Sequence, residues 1–301
     1  MSLSLEDARR AYAEEIRAVA DIQCDRLIEA FAHVPREAFF GPGPWFIGTG
    51  SHMRRFKMPA PDERAPWESD YRATRDADPR HLYHNVLIGI DPKRSLNNGQ
   101  PTAIAAWFDT LEPQLGDRML HVGCGVGYYT AIIAEAVGPN GSVLAVEYDS
   151  GLAARARVNL APWPNVRVVE GDGSTIDVSA FDIGFINAGA TRLMPSWLDG
   201  LQPGGRLLVP LTIQVLDTTN GLTLLIRRGG SGERWEARFT GSVAIFPCHG
   251  ARDEASQAEL LKLYRSRAMH TVQSLRRDQH APDPSCAVHL DDSCLSTLPP
   301  N

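Results

Sequence analysis

Long apolar runs are missing from this sequence of 301 residues. A membrane-spanning helix needs about 20 consecutive, mostly apolar residues, and no stretch of the chain approaches that length. The segment Met1–Asp7 also lacks the basic region and the apolar core of a secretion signal. These absences predict a protein without a membrane partner, and we expect it to be cytoplasmic.

Cysteine is scarce, and its pattern is irregular. The five cysteines are Cys24, Cys124, Cys248, Cys286 and Cys294. An odd number at such wide spacings argues against a disulfide framework, and the lack of a C-x-x-C pair argues against a zinc site. The pattern suits a reducing compartment. We therefore expect no metal site.

An excess of positive charge is missing as well. The chain has 30 Lys and Arg residues against 36 Asp and Glu residues, which gives a formal net charge of −6. Proteins that bind nucleic acid usually have a basic surface patch that contacts the phosphates. We therefore expect no nucleic-acid partner. Hydrophobic residues make up 43% of the chain, which is enough for a large core. The length fits one elaborated α/β domain.

What the chain does contain is a glycine-rich turn directly after an apolar strand. Residues 118–122 predict a buried strand, and Gly123, Gly125 and Gly127 follow at alternate positions. A strand, a glycine turn and a helix form the first unit of a nucleotide-binding sheet. Glycine is needed in the turn because the turn is tight and a ligand approaches its backbone closely. A dinucleotide fingerprint would need its last glycine at Tyr128. The observed spacing is instead typical of enzymes that use S-adenosylmethionine.

Polar residues follow three further predicted strands at the points where those strands end. Glu147 ends the second strand, Asp172 follows the third and Asn187 follows the fourth. Because ligands bind outside the carboxyl ends of parallel strands, these side chains are expected to face one crevice. Glu147 also lies 20 residues past Gly127, where doubly wound folds hold ribose hydroxyls.

Several segments together resemble the class I methyltransferases and, within that class, the protein-L-isoaspartate O-methyltransferase family. They are the glycine turn, Glu147, Gly171–Gly173, the V-P-R segment Val34–Arg36, the pair Gln100-Pro101 and the segment Leu201–Leu207. The resemblance implies that S-adenosylmethionine is bound by the three glycines, by Glu147 at the ribose and by Asp172 at the adenine. The other residues expected on the cofactor side are His121, Cys124, Tyr148, Gly171, Gly173 and Asn187.

The sequence departs from that family where the acceptor is expected to bind. Members commonly carry a serine two residues before the proline of the segment that leads into the cofactor domain, and this chain has Gly99 there. Amide side chains stand beside it at Asn97, Asn98 and Gln100, and we predict that they hold the acceptor. Asn-Asn-Gly is also a common turn sequence, so the two asparagines have a structural interpretation as well. The missing serine predicts slow methylation of ordinary isoaspartyl peptides.

The implied chemistry is transfer of an electrophilic methyl group, for which the enzyme mainly aligns the acceptor and excludes water. A carboxylate has a pKa of about 4, so it is ionised at neutral pH and needs no general base. A hydroxyl or amine acceptor would favour a base, for which the candidates are His84 and His249. We expect O-methylation of a carboxylate on a peptide or a small acidic metabolite.

Other functions remain open at this point. They are methylation of a hydroxyl or amine on a small molecule, binding of S-adenosylmethionine without catalysis, and a dehydrogenase-like activity, which the glycine spacing disfavours.

The pattern of strands and helices predicts an α/β fold with a doubly wound, mostly parallel, seven-stranded class I methyltransferase sheet. Residues 1–100 are expected to form a helix, a lid-like insertion at 48–81 and a substrate-side loop. Residues 101–250 are expected to form the cofactor domain, and residues 251–301 a C-terminal helix and tail.

Local patterns define the two ends of the chain more closely. Apolar residues at helical spacing predict helices within residues 5–31 and 255–275. Residues 279–301 are rich in proline, serine and aspartate, so we expect them to wrap the surface or fray.

Overall fold

The computed structural model describes residues 3–48, 71–215, 218–230, 232–290 and 293–301. The α-helices are α1 (Leu5–Ala20), α2 (Asp25–His33), α3 (Pro101–Thr110), α4 (Tyr128–Val137), α5 (Ser150–Asn159), α6 (Pro195–Gly200) and α7 (Glu254–Ser266). The strands are β1 (Phe46–Gly48), β2 (Tyr71–Ala73), β3 (Gly89–Asp91), β4 (Leu96–Asn97), β5 (Arg118–Val122), β6 (Ser142–Glu147), β7 (Val166–Glu170), β8 (Phe181–Ile186), β9 (Leu201–Val215), β10 (Thr218–Arg227), β11 (Arg234–Ala244), β12 (Ser274–Arg276), β13 (Cys286–Leu290) and β14 (Ser293–Ser296).

One large sheet of the described residues runs in the order β13-β14-β12-β11-β10-β9-β8-β5-β6-β7. The five strands from β9 to β7 are parallel, and β10 to β14 add antiparallel pairings. The α/β class is therefore confirmed. The predicted count of seven mostly parallel strands is wrong, because short connections after β9, β10 and β13 let the chain return antiparallel to itself.

The parallel strands β5, β6 and β8 are mostly buried on both faces, as their continuous apolar runs predict, whereas the edge strand β7 is only partly buried. One core packs α1 to α4 against the sheet and includes Ile16, Phe31, Phe108 and Ile132. The other core lies on the opposite face and includes Trp197. Two packed faces are the doubly wound arrangement that was predicted. No described helix has both the length and the apolar character needed to cross a bilayer.

The C-terminal segment differs from the prediction of a helix and a surface tail. The helix expected over residues 255–275 ends at Ser266, because Arg267 adopts a left-handed conformation with φ 57°. The chain beyond it forms β12, β13 and β14, which extend the large sheet. Val288, Leu290 and Leu295 from these strands are buried in the second core. The segment is thus part of the main body of the fold.

Most of the lid predicted at residues 48–81 lies outside the described residues. Its described ends, β1 and β2, pair with each other in antiparallel register.

Candidate cofactor and methyl-transfer site

The glycine turn joins β5 to α4, and its three glycines have φ values of 77°, 58° and 93°. A Cβ atom on Gly123 would lie 2.9 Å from the carbonyl oxygen of Asn187, and one on Gly127 would lie 2.7 Å from Cδ1 of Leu160. These two glycines are required by packing. A Cβ atom on Gly125 would meet only Cδ1 of Ile90, at 3.9 Å, so this residue borders open space. A ligand can approach the backbone there.

The Glu147 carboxylate is buried next to that space and holds the turn in place. It accepts hydrogen bonds from the backbone N–H of Gly125 at 2.7 Å and of Asp149 at 3.0 Å. Burial raises the pKa of the Glu147 carboxyl above its ordinary value, and the backbone hydrogen bonds oppose that rise. Each carboxylate oxygen has a second lone pair, so Glu147 retains acceptor capacity for ribose hydroxyls. The open space and this acceptor fit S-adenosylmethionine.

Asp172, which is predicted to bind the adenine, follows the end of β7. Oδ1 of Asp172 accepts hydrogen bonds from the backbone N–H and the hydroxyl of Ser174, at 2.9 and 2.7 Å. The loop after β11 passes over this carboxylate, since a Cβ atom on Gly250 would lie 2.5 Å from Oδ2 of Asp172. In the same loop, the His249 ring stacks on Tyr148 with 4.4 Å between ring centroids. The structure thus brings His249 to the predicted cofactor side.

The other residues expected on the cofactor side either link the ends of neighbouring strands or support the packing behind the glycine turn. The Asn187 amide donates to the carbonyl of Gly123 at 3.2 Å, and the Gly171 N–H donates to the carbonyl of Glu147 at 2.9 Å. These bonds join the ends of four strands in two pairs, β8 to β5 and β7 to β6. Gly173 is needed for packing, since a Cβ atom there would lie 2.3 Å from Cγ1 of Val122.

Cys124 and His121 are supporting residues. Burial raises the pKa of the Cys124 thiol, which therefore stays protonated and is a poor nucleophile. His121 has no exposed surface, and its Nδ1 lies 3.0 Å from the hydroxyl of Thr130. Burial lowers the pKa of His121 to about 3, so the ring is neutral. In contrast to the expectation of a cofactor contact, His121 supports β5 from within the core.

The residues expected on the acceptor side lie in the segment before α3. Oδ1 of Asn97 accepts a hydrogen bond from the N–H of Gly99 at 2.9 Å, which closes a turn. Asn98 is buried, and its Oδ1 accepts a hydrogen bond from the N–H of Ile88 at 2.7 Å. Both asparagines therefore shape the backbone. Gln100 is exposed at the start of α3, and its side chain makes no capping hydrogen bond there.

This segment lies directly beside the cofactor turn. The Tyr129 hydroxyl in the first turn of α4 donates to the carbonyl of Gly99 at 3.1 Å. A cavity of about 560 Å³ opens nearby between β3 and α5. Its charged lining consists of Asp91, Lys93, Arg155 and the pair of Arg94 and Asp149, whose side chains are 2.8 Å apart.

Arg36 of the V-P-R segment has a role that sequence reasoning missed. Its guanidinium is fully buried and donates to the backbone carbonyls of Leu82, His84 and Val86. These bonds fix the segment that leads to Ile88 and the acceptor side. The His84 side chain itself is exposed, so only its carbonyl takes part. The motif was visible as a family signature, but nothing in the sequence shows which carbonyls it binds.

Comparison with known proteins assigns the arrangement to a family. The model of the family "Protein-L-isoaspartate(D-aspartate) O-methyltransferase (PCMT)" matches residues 79–231. The protein-L-isoaspartate O-methyltransferase 2 of Archaeoglobus fulgidus is 33% identical over 193 residues, which are 60% of this chain and 84% of that protein. The chain belongs to this family. It is an S-adenosylmethionine-dependent O-methyltransferase, as the glycine turn and the strand ends predicted.

Other relatives agree on the family and on the fold. The protein-L-isoaspartate O-methyltransferase 1 of Archaeoglobus fulgidus is 30% identical over 201 residues, which are 63% of this chain and 89% of that protein. A solved protein-L-isoaspartate O-methyltransferase superposes with a TM-score of 0.60 at 19% identity, covering 84% of this chain and 69% of its own. A putative Plasmodium falciparum enzyme, solved with S-adenosyl-L-homocysteine, gives a TM-score of 0.56 at 15% identity over 80% of this chain and 97% of its own. The individual site residues stay predictions.

Proposed function

We propose that this enzyme transfers a methyl group from S-adenosylmethionine to the free carboxylate of an isoaspartyl residue in a peptide. Family membership together with the open space at Gly125 carries this proposal. The donor would be held by the three glycines of the turn, by Glu147 at the ribose and by Asp172 at the adenine. It supplies an electrophilic methyl carbon, so the residues of the chain need only bind, orient and desolvate the two reactants.

The acceptor would enter from the side of β3 and α3. The exposed amide of Gln100 can donate a hydrogen bond to a carboxylate without adding a positive charge that repels the sulfonium. Lys93 and Arg155, in the neighbouring cavity, can attract an acidic peptide from solution. Because the acceptor is already ionised, neither His84 nor His249 is required as a base. The position of His249 beside Tyr148 agrees with this.

The test uses two synthetic peptides of the same sequence, one with isoaspartate and the other with aspartate. Labelled S-adenosylmethionine should give a base-labile methyl ester on the isoaspartyl peptide only. The reaction should be slower than that of a relative with a serine at the position of Gly99, because this chain lacks that hydroxyl. Gly125→Val is the control, since its side chain would fill the space proposed for the donor.

One outcome would contradict the proposed acceptor, and another would contradict only the effect expected from Gly99. Methylation of neither peptide, with S-adenosylmethionine still bound, would favour a small acidic metabolite as acceptor. Methyl transfer as fast as in a relative with the serine would show that Gly99 has been misinterpreted.

A further inference from the structure

Four side chains of the kinds that bind metals converge in the C-terminal segment. They are His280, Cys286, His289 and Cys294, and their ligand atoms all lie within 4.8 Å of one another. His280 lies in the loop before β13, Cys286 and His289 lie on β13, and Cys294 lies on β14. His289 and Cys294 are direct partners across the antiparallel pair. Chain spacing predicted no such site, and strand pairing creates it.

The distances in this cluster approach those of a tetrahedral zinc site. Sγ of Cys286 lies 3.4 Å from Nε2 of His280 and 3.8 Å from Nδ1 of His289. Zinc bonds of 2.3 Å to sulfur and about 2.0 Å to nitrogen place neighbouring ligand atoms about 3.3–3.8 Å apart in a tetrahedron. The planes of the His280 and His289 rings are 88° apart with 4.8 Å between centroids, so the rings meet edge to face and do not stack.

Hydrogen bonds and ion pairs around the cluster hold its side chains in an arrangement that suits a bound cation. Nδ1 of His280 donates to the carbonyl of Asp278 at 2.9 Å, which leaves the lone pair of Nε2 directed at Cys286. The backbone N–H of Asp283 donates to Sγ of Cys286 at 3.3 Å. Arg276 forms ion pairs with Asp278 at 2.7 Å and with Asp283 at 3.2 Å. It therefore fixes the two aspartates whose backbone groups contact His280 and Cys286. Such outer contacts fix the orientation and tautomer of metal ligands.

We propose that these four side chains bind one structural Zn²⁺ ion. Two thiolates and two neutral imidazoles give a neutral centre, and binding releases the two thiol protons to solvent. Four protein ligands leave no position for a substrate, which is the character of a structural site. The ion would join the β13–β14 pair to the loop after β12, at the edge of the large sheet. This region lies beyond residues 79–231, which the family model matches.

The primary test is the zinc content of the full-length protein, expressed with zinc and dialysed. About one equivalent per chain is expected, with loss of most of it in Cys286→Ser and His289→Asn. The matched controls are Cys24→Ser and His270→Asn, which change the same residue types outside the cluster and should keep the metal. Binding of S-adenosylmethionine checks that each variant is folded.

A second set of measurements uses only the wild-type chain, in case the variants fail to fold. A strong chelator should remove the metal and lower the melting temperature, and added zinc should restore it. Cobalt in place of zinc should give the visible absorption of a tetrahedral site with sulfur ligands. The proposal is overturned if the zinc-supplied protein holds no stoichiometric metal, or if the variants keep it. It is equally overturned by a Cys286–Cys294 disulfide in protein purified under reducing conditions.

Discussion

At the scale of single residues, Glu147 supports the glycine turn and is also proposed to bind the ribose. Its carboxylate accepts N–H groups from the glycine turn and from the start of α5, and it faces the proposed ribose position. Glu147→Ala should therefore weaken S-adenosylmethionine binding by about 1.5–3 kcal/mol, the range for hydrogen bonds to charged groups. Calorimetry measures this directly, with the exposed Glu254→Ala as control. Unchanged affinity in Glu147→Ala would remove Glu147 from the cofactor site.

His121 supplies a second prediction, which concerns stability and pH. Its pKa is lowered to about 3 in the folded chain, whereas the ordinary value is 6.5. Between these values the unfolded chain takes up a proton that the folded chain does not, so acidification destabilises the fold. The slope contributed by one such group is at most about 1.4 kcal/mol per pH unit.

The measurement is denaturant unfolding of the wild type and of His121→Gln between pH 7 and pH 5. The variant should lose less stability on acidification, although its stability at pH 7 is lower. The exposed His270→Asn should follow the wild type. Equal slopes for the wild type and His121→Gln would mean that His121 becomes protonated without unfolding.

At the scale of elements, the segment between β3 and α3 separates structural from substrate-side residues. Asn98→Ala leaves the buried N–H of Ile88 without its acceptor, which should cost about 1–3 kcal/mol of stability. Gln100→Ala should leave stability unchanged, because that exposed side chain makes no capping hydrogen bond to α3. The substitution should lower kcat/KM, because it removes the amide proposed to bind the acceptor. Affinity for S-adenosylmethionine should stay nearly constant in both.

Unfolding curves and turnover per folded molecule distinguish these roles. A fall in turnover for Asn98→Ala without a loss of stability would support the original expectation that Asn98 holds the acceptor. Normal turnover in Gln100→Ala would leave the acceptor without an amide partner from this segment.

The same elements show what the sequence could and could not predict. The strands β5, β6 and β8 were predictable because parallel strands buried on both faces are continuous apolar runs, and β7 because three of its five residues are valines. Glu147, Asp172 and Asn187 lie at or just after the ends of β6, β7 and β8. The bond from the Ile88 N–H to Asn98 was not predictable, because an amide side chain suits a backbone contact and a ligand equally. The bonds of Arg36 depend on segments almost 50 positions apart in the chain. Local patterns carry no information on such contacts.

At the scale of the whole molecule, the largest difference between expectation and structure is the C-terminal sheet extension. Residues 279–301 are polar in composition, yet Val288, Leu290 and Leu295 alternate toward a buried face. Short strands of this kind are recognisable only from their partner, since the partner supplies the hydrogen bonds and the apolar surface. The pairing of His289 with Cys294 was hidden for the same reason.

This arrangement predicts that the C-terminal strands stabilise the entire fold. A chain that ends after Asp278 loses three buried aliphatic side chains, each worth about 1.5–3 kcal/mol. It also leaves β12 as an uncovered edge, which invites aggregation. We expect the truncated chain to unfold at a much lower temperature and at lower denaturant concentration than the full chain. Removal of residues 299–301 is the control and should have a smaller effect, because these residues are exposed and, within the described part of the chain, contribute only hydrogen bonds to Arg234. If the truncated chain is as stable as the full chain, residues 279–301 are a dispensable surface tail, and the sheet is complete at β12.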